Sequence, residues 1–92
     1  MKYKEFYWTK NKRDAIECQR YLINKGYGWN FYGRIVKPEN ICKDGTLYVV
    51  DNYGKIRYGD FSLEEANEEA KKRADNKIII FKSSQIKLMD TE

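Results

Sequence analysis

The sequence of 92 residues contains no histidine, a single proline and only two cysteines. Without histidine, the commonest general base and the usual Ser–His and Cys–His nucleophile pairs are absent. Cys18 and Cys42 form no CxxC pair, so the spacing of a zinc site is missing as well. The sequence also lacks the Walker, GxGxxG and GxSxG motifs. We therefore expect a protein that is not an enzyme and that holds no metal ion or cofactor.

Long apolar runs are absent too. The mean hydropathy is −0.86, and no apolar run approaches the roughly 20 residues that span a bilayer. The first residues lack the apolar stretch of a secretory signal. These features predict a cytoplasmic protein with no membrane partner, in which both cysteines are reduced.

Aromatic residues are abundant for so polar a chain. They make up 15% of the residues, beside 35% charged residues, and this aromatic content is too high for a disordered protein. A chain of this length can build one hydrophobic core. We therefore expect a single domain over residues 1–92.

Hydrophobic patterning in the first third predicts a strand and then a helix. Dense aromatic residues favour a strand over residues 3–8. A helix follows a cap at Thr9 or Asn11 and stops at Gly26, which can adopt the left-handed conformation. Its apolar stripe has the spacing i, i+3 and i+7, and the three residues are Ala15, Cys18 and Leu22.

The middle of the chain predicts three strands. Alternating residues over 27–36 indicate a long strand with one buried face, and the proline and polar residues of 37–45 indicate a loop. Strands over 47–50 and 56–58 flank the turn 51–54, where Gly54 suits the positive φ of a three-residue hairpin.

A second helix and a last strand complete the pattern. Ser62 and Glu65 have the spacing of a capping box. The apolar stripe of the helix consists of Leu63, Ala66, Ala70 and Ala74, and Asn76 can end it. The apolar run over 77–82 predicts a central strand, and a short edge strand follows around Ile86 and Leu88.

These elements predict an α+β fold with the order β-α-β-β-β-α-β. We expect a single, mostly antiparallel sheet with two helices packed on one face. The opposite face would then be open to solvent.

The uneven distribution of charge suggests a use for that open face. Residues 1–59 hold 12 Lys and Arg against 6 Asp and Glu, a net +6, whereas residues 60–92 hold 6 against 8, a net −2. The strand residues expected to point away from the helices are Tyr32, Arg34, Tyr48, Lys55 and Arg57. Such a face could bind single-stranded nucleic acid by stacking and phosphate contacts. Equally, the tyrosines could pair across strands while the bases keep the face soluble.

A protein interface is the other use of the same surface. Eight tyrosines in 92 residues is a high count, and tyrosine and arginine are common interface anchors. Tyr53 at the hairpin tip and the loop 37–45 would form its edges. The partner-binding residues predicted here are Tyr32, Arg34, Tyr48, Tyr53, Lys55 and Arg57. A homodimer is also compatible with this surface.

Three segments carry a resemblance to known proteins: Trp8-Thr9 before a lysine-rich helix start, KGYGW at 25–29, and YVVDNYGKIRYG at 48–59. In this respect the chain resembles small α+β proteins encoded by bacteriophages and prophages. The resemblance implies a protein that binds and inhibits a host defence or regulatory protein. Because the net charge is +4, an acidic mimic of DNA is excluded.

Overall fold

The computed structural model describes residues 3–74 and 79–80. Two helices and five strands follow one another as β1 (Tyr3–Thr9), α1 (Lys12–Asn24), β2 (Gly28–Trp29), β3 (Thr46–Asp51), β4 (Lys55–Asp60), α2 (Leu63–Ala74) and β5 (Ile79–Ile80). The predicted α+β class and the predicted order of elements are confirmed.

The five strands form one sheet in the order β2-β4-β3-β1-β5. The three central strands are antiparallel, as predicted. The two outer strands are parallel to their neighbours, β2 to β4 and β5 to β1. A helix precedes each outer strand. This helix brings the chain back to the end of the sheet at which the strand before the helix began. The sheet is therefore mixed.

The two helices cover opposite faces of the sheet, so the prediction that they share one face is wrong. In α1, the predicted residues Ala15, Cys18 and Leu22 are buried with Tyr7, Tyr48 and Val50. In α2, Ala66 and Ala70 are buried with Phe6, Trp8, Leu47 and Val49. Successive residues of β1 and β3 thus enter the two cores alternately. Both faces of these strands are apolar, so each face must be shielded from water by a helix of its own.

The predicted start and end of α1 and the predicted start of α2 are confirmed. The Asn11 side chain accepts a hydrogen bond from the backbone N–H of Asp14 at 2.9 Å. Gly26, with φ +99°, follows the end of α1. Ser62 and Glu65 form the capping box, since each backbone N–H donates to the other side chain, at 3.0 and 3.2 Å.

The long strand predicted over residues 27–36 is wrong. Only β2 is extended, and the chain then folds back in a turn closed by two hydrogen bonds, Trp29 N–H to Gly33 O at 2.8 Å and Gly33 N–H to Trp29 O at 3.1 Å. Gly28 permits this close return, because a Cβ there would lie 2.9 Å from the Gly33 oxygen. Phe31 and Gly33 both have positive φ, which lies outside the range of a regular strand.

The last predicted elements fall largely beyond the described part of the chain. Ile79 and Ile80 lie in a strand, as expected for the run 77–82, but among the described strands β5 is at the edge of the sheet and not at its centre. The other residues of that run, the helix end at Asn76, the edge strand around Ile86 and Leu88, and the side chain of Ala74 lie outside the described residues. Neither described helix is long and apolar enough to cross a bilayer.

Candidate binding groove

A groove of about 650 Å³ runs along the outer side of β4 on the face that α1 covers. We call it the β4 groove, and its principal lining residues are Trp29, Tyr32, Lys37, Ile56, Arg57 and Tyr58. One wall is the turn of residues 30–36, and the other is the start of the loop 37–45. A smaller cavity of about 240 Å³ is lined by the core residues Phe6, Leu47 and Val49, by Phe61, and by the more polar side of β4 and α2 at Arg57, Tyr58, Gly59 and Glu69.

The turn of residues 30–36 exposes apolar side chains to solvent, and hydrogen bonds at its base hold it in place. Trp29 is buried, and its indole N–H donates to Ile35 O at 2.8 Å, in addition to the paired backbone hydrogen bonds with Gly33. Phe31 is 93% exposed, Tyr32 is 61% exposed, and Ile35 is half exposed. The φ of +75° at Phe31 costs on the order of 1 to 2 kcal/mol for a residue with a Cβ. The turn therefore holds an apolar tip in water at an energetic cost.

The opposite wall is fixed from beneath by Gln19, which is fully buried in α1. Its amide accepts from Lys37 N–H at 2.6 Å and donates to Lys37 O and to the Tyr48 hydroxyl, both at 3.0 Å. The Tyr48 hydroxyl in turn donates to Asn40 O at 2.7 Å. Burial raises the pKa of Tyr48, so this hydroxyl keeps its proton. Three bonds thus anchor residues 37–40 to the core, and the bond between Gln19 and Tyr48 joins the two anchoring side chains.

The cations at the rim of the groove already face carboxylates. Lys37 Nζ lies 2.8 Å from Glu39 Oε1 and 3.9 Å from the centroid of the Tyr32 ring. Its hydrogen bond lowers the pKa of Glu39. Arg57 Nε lies 3.5 Å from the buried Asp51 carboxylate. These pairs reduce the positive charge that Lys37 and Arg57 can offer to a phosphate.

The structure brings only some of the predicted partner-binding residues together. Tyr32 and Arg57 line the β4 groove, and Arg34 is exposed on the turn beside it. Lys55 is exposed at the start of β4. Tyr53 is 78% exposed at the hairpin tip and is not among the groove residues.

The assignment of Tyr48 to a partner-binding face is wrong. Tyr48 is fully buried under α1, with its ring edge-on to Trp29 at 6.3 Å. The predicted open face does not exist, because each sheet face carries a helix. Lys55 and Arg57 alternate with the buried Ile56, so their side chains leave β4 on the α2 side of the sheet, although Arg57 also lines the β4 groove.

Several residues of the groove, of the adjoining turn and of the support beneath them were not predicted from the sequence. Tyr58 is paired with Tyr48 in the β3–β4 ladder and lies edge-on to Trp29 at 6.1 Å. Phe31 and Ile35 were assigned to the buried face of a strand. The glycines at 28 and 33, which flank the turn, are the signal that could have indicated a fold-back. The burial of Gln19 could also have been inferred from the sequence, because Gln19 lies on the same helical face as Ala15 and Leu22.

A second cluster of titratable groups joins β1 to the end of α1. The Glu5 carboxylate accepts hydrogen bonds from the Tyr7 and Tyr27 hydroxyls and from Lys25 Nζ at 2.7 Å. Burial raises the pKa of Glu5, but the bonds from Lys25, Tyr27 and Tyr7 outweigh it, so the pKa is lowered. Lys25 also lies 5.2 Å from the centroid of the Tyr21 ring. The cluster stabilises the fold through an ionised carboxylate.

We expect this carboxylate to make the fold sensitive to acid. Because its pKa is lower in the folded state, its contribution is present above the ordinary value of 4.5 and is lost as the pH falls through the folded pKa. After allowance for partial exposure, the loss is on the order of 1 kcal/mol. Urea unfolding between pH 7 and pH 3 should show a smaller decrease for Glu5→Gln than for the wild type. Glu64→Gln, on the exposed side of α2, should follow the wild type, and parallel curves for all three proteins would contradict the prediction.

Comparison of the chain with protein-family models, curated proteins and solved structures finds no significant match. Within residues 3–74 and 79–80, no three His, Cys, Asp or Glu side chains are grouped to hold a metal ion. The groove itself combines aromatic rings, aliphatic groups and partly neutralised cations. These are the groups of a binding surface.

Proposed function

We propose that this chain is a non-enzymatic binding protein that docks onto another protein through the β4 groove and the adjoining turn. The observation that carries the proposal is the apolar tip of Phe31, Tyr32 and Ile35, held in solvent by bonds at its base. Backbone strain combined with exposed aromatic rings is typical of recognition sites. Tyrosine and tryptophan at such sites supply much of the binding energy of an interface.

The resemblance to bacteriophage proteins suggests which partner is bound. We propose that the partner is a host defence or regulatory protein, and that its binding in the β4 groove blocks the partner's own activity. The net charge of +4 would favour association with an acidic protein surface.

Single-stranded nucleic acid is the second candidate ligand. It is favoured by Tyr32 and Tyr58, which line one groove with Lys37 and Arg57, because bases stack on tyrosine while cations contact phosphates. The carboxylates beside both cations make it the weaker candidate. The exposed apolar tip also has no role in phosphate binding.

Replacing Tyr32 by serine tests whether the β4 groove binds the partner or is only exposed to solvent. We expect Tyr32→Ser to weaken binding of a partner captured from bacterial lysate by roughly tenfold or more, as for a buried interface tyrosine. The Tyr53→Ser variant is the control. It lacks a tyrosine that is more exposed than Tyr32 but lies outside the groove, and it should bind the partner like the wild type. The measurement is a titration of the purified partner against all three proteins, together with an assay of the partner's own activity.

Nuclease treatment and the salt dependence of the affinity distinguish a protein partner from a single-stranded nucleic acid. A protein partner should survive nuclease treatment, and its inhibition should require Tyr32. Loss of every partner after nuclease would instead support nucleic acid, especially if oligonucleotide affinity falls with a log–log salt slope of about −0.7 per phosphate contact. Equal binding by Tyr32→Ser and Tyr53→Ser would contradict a role for the groove.

A further inference from the structure

The outer edge of β4 is only partly covered. On one side β4 pairs with β3 along its length, from Ile56 to Asp60. On the other side β2 pairs only with Lys55 and Ile56, after which the chain leaves the sheet in the turn. No other described strand lies beside residues 57–60.

The backbone of this edge is oriented for pairing. The parallel register of β2 and the bond from Gly28 N–H to Gly54 O place the backbone groups of Ile56 on the outer side. Because these groups alternate along a strand, the N–H and C=O of Tyr58 and Asp60 point to the same side. A strand edge of this kind is a template for another extended segment.

The β4 groove lies along the same edge. An extended segment placed there would continue the sheet beyond the end of β2, and alternate side chains would face the groove between Trp29, Tyr32 and Tyr58. The backbone would supply affinity, and the aromatic walls would select the side chain.

The charges near the groove define the chemistry of that segment. Lys37 and Arg57 line the groove, but each already faces a carboxylate, Glu39 and Asp51 respectively. Arg34 is exposed on the turn beside the groove and has no carboxylate within ion-pair distance among the described residues. An acidic side chain of the segment would be attracted to Arg34.

We propose that the partner supplies an extended, acidic segment that adds a strand to β4 at residues 57–60 and places an apolar side chain in the β4 groove. This inference rests on the proposed function, because it specifies how a partner protein is recognised. Recognition would depend on the backbone of Tyr58 as well as on its ring.

The probe is a library of random ten-residue peptides displayed on a carrier and selected against the wild-type chain. We expect recovered peptides to alternate apolar β-formers with Asp or Glu. A synthetic peptide from this selection should bind Tyr58→Pro at least tenfold more weakly than Tyr58→Ala, because only proline removes the outward N–H. Circular dichroism of both variants checks their folding.

Amide hydrogen exchange by NMR tests the same contact in the unmodified chain. Added peptide should slow exchange at Tyr58 and Asp60, while Asn52 at the hairpin tip stays unchanged. Recovery of no binding peptide, equal binding by the proline and alanine variants, or unchanged exchange at Tyr58 and Asp60 would overturn the proposal. Protection that rises with chain concentration alone would assign the edge to a second copy and would also overturn it.

The lysate experiment keeps this result separate from the proposed function. A partner that is lost with Tyr32→Ser but binds Tyr58→Pro normally would leave the proposed function intact and refute strand addition. Failure of the proposed function would instead appear as equal binding by Tyr32→Ser and Tyr53→Ser.

Discussion

Replacing Gln19 by leucine is expected to lower the free energy of unfolding by roughly 2 to 4 kcal/mol, because leucine fills a similar volume but leaves buried polar groups without partners. Lys37 would lose partners at both its N–H and its C=O, and the Tyr48 hydroxyl would lose the amide that donates to it. The measurement is urea unfolding monitored by circular dichroism.

A matched control isolates the buried network from the loss of a polar residue in α1. Arg20→Leu introduces the same side chain at the next, exposed position and should change stability by less than about 0.5 kcal/mol. Tyr48→Phe should lie between the two, because Gln19 retains its bonds to Lys37. Equal stabilities of Gln19→Leu and Arg20→Leu would show that the network does not hold the fold.

The same substitution should affect binding. Residues 37–40 form a wall of the β4 groove and depend on Gln19 for their position. Under conditions in which Gln19→Leu is still folded, we expect weaker binding of the partner, while Arg20→Leu binds like the wild type. Stability and recognition are therefore linked through one buried side chain.

The second large effect is expected from Ala70→Asp in α2. Ala70 is fully buried against the face of the sheet formed by Phe6, Leu47 and Val49. A carboxylate there has no cationic partner in that apolar cluster, and burying an unpaired charge costs about 3 to 5 kcal/mol. We expect Ala70→Asp to be largely unfolded at room temperature.

Lys71→Asp provides the control, since it places the same residue at the next, exposed position of α2. Its melting temperature should be close to that of the wild type. Similar melting temperatures for the two variants would mean that α2 does not cover this face of the sheet.

Much of the fold could be predicted because the signals are local. The capping box of Ser62 and Glu65 and the cap at Asn11 depend on residues three positions apart. The hairpin between β3 and β4 follows from Gly54, with positive φ, and from Asp51, whose carboxylate accepts from Tyr53 and Lys55 N–H. Such contacts need no knowledge of the remaining chain.

The site was harder to predict because its signals are not local. The aromatic and basic residues of 32–34 and 55–57 were identified, and all four are exposed. Tyr48 was included because alternation shows that neighbouring residues of a strand face opposite ways, but not which face is covered. Phe31 was expected to be buried, although the turn carries it into solvent.

The sequence by itself determined the α+β class, the order of the elements, the helix caps and the β3–β4 hairpin, since each depends on backbone geometry within a few residues. Only the tertiary structure decided which sheet face each helix covers, and therefore that Tyr48 and Gln19 are buried together. It also decided that β2 ends at Trp29, so that no described strand pairs with the outer edge of β4 beyond Ile56. These features depend on packing between distant segments, which hydrophobic periodicity along the chain does not specify.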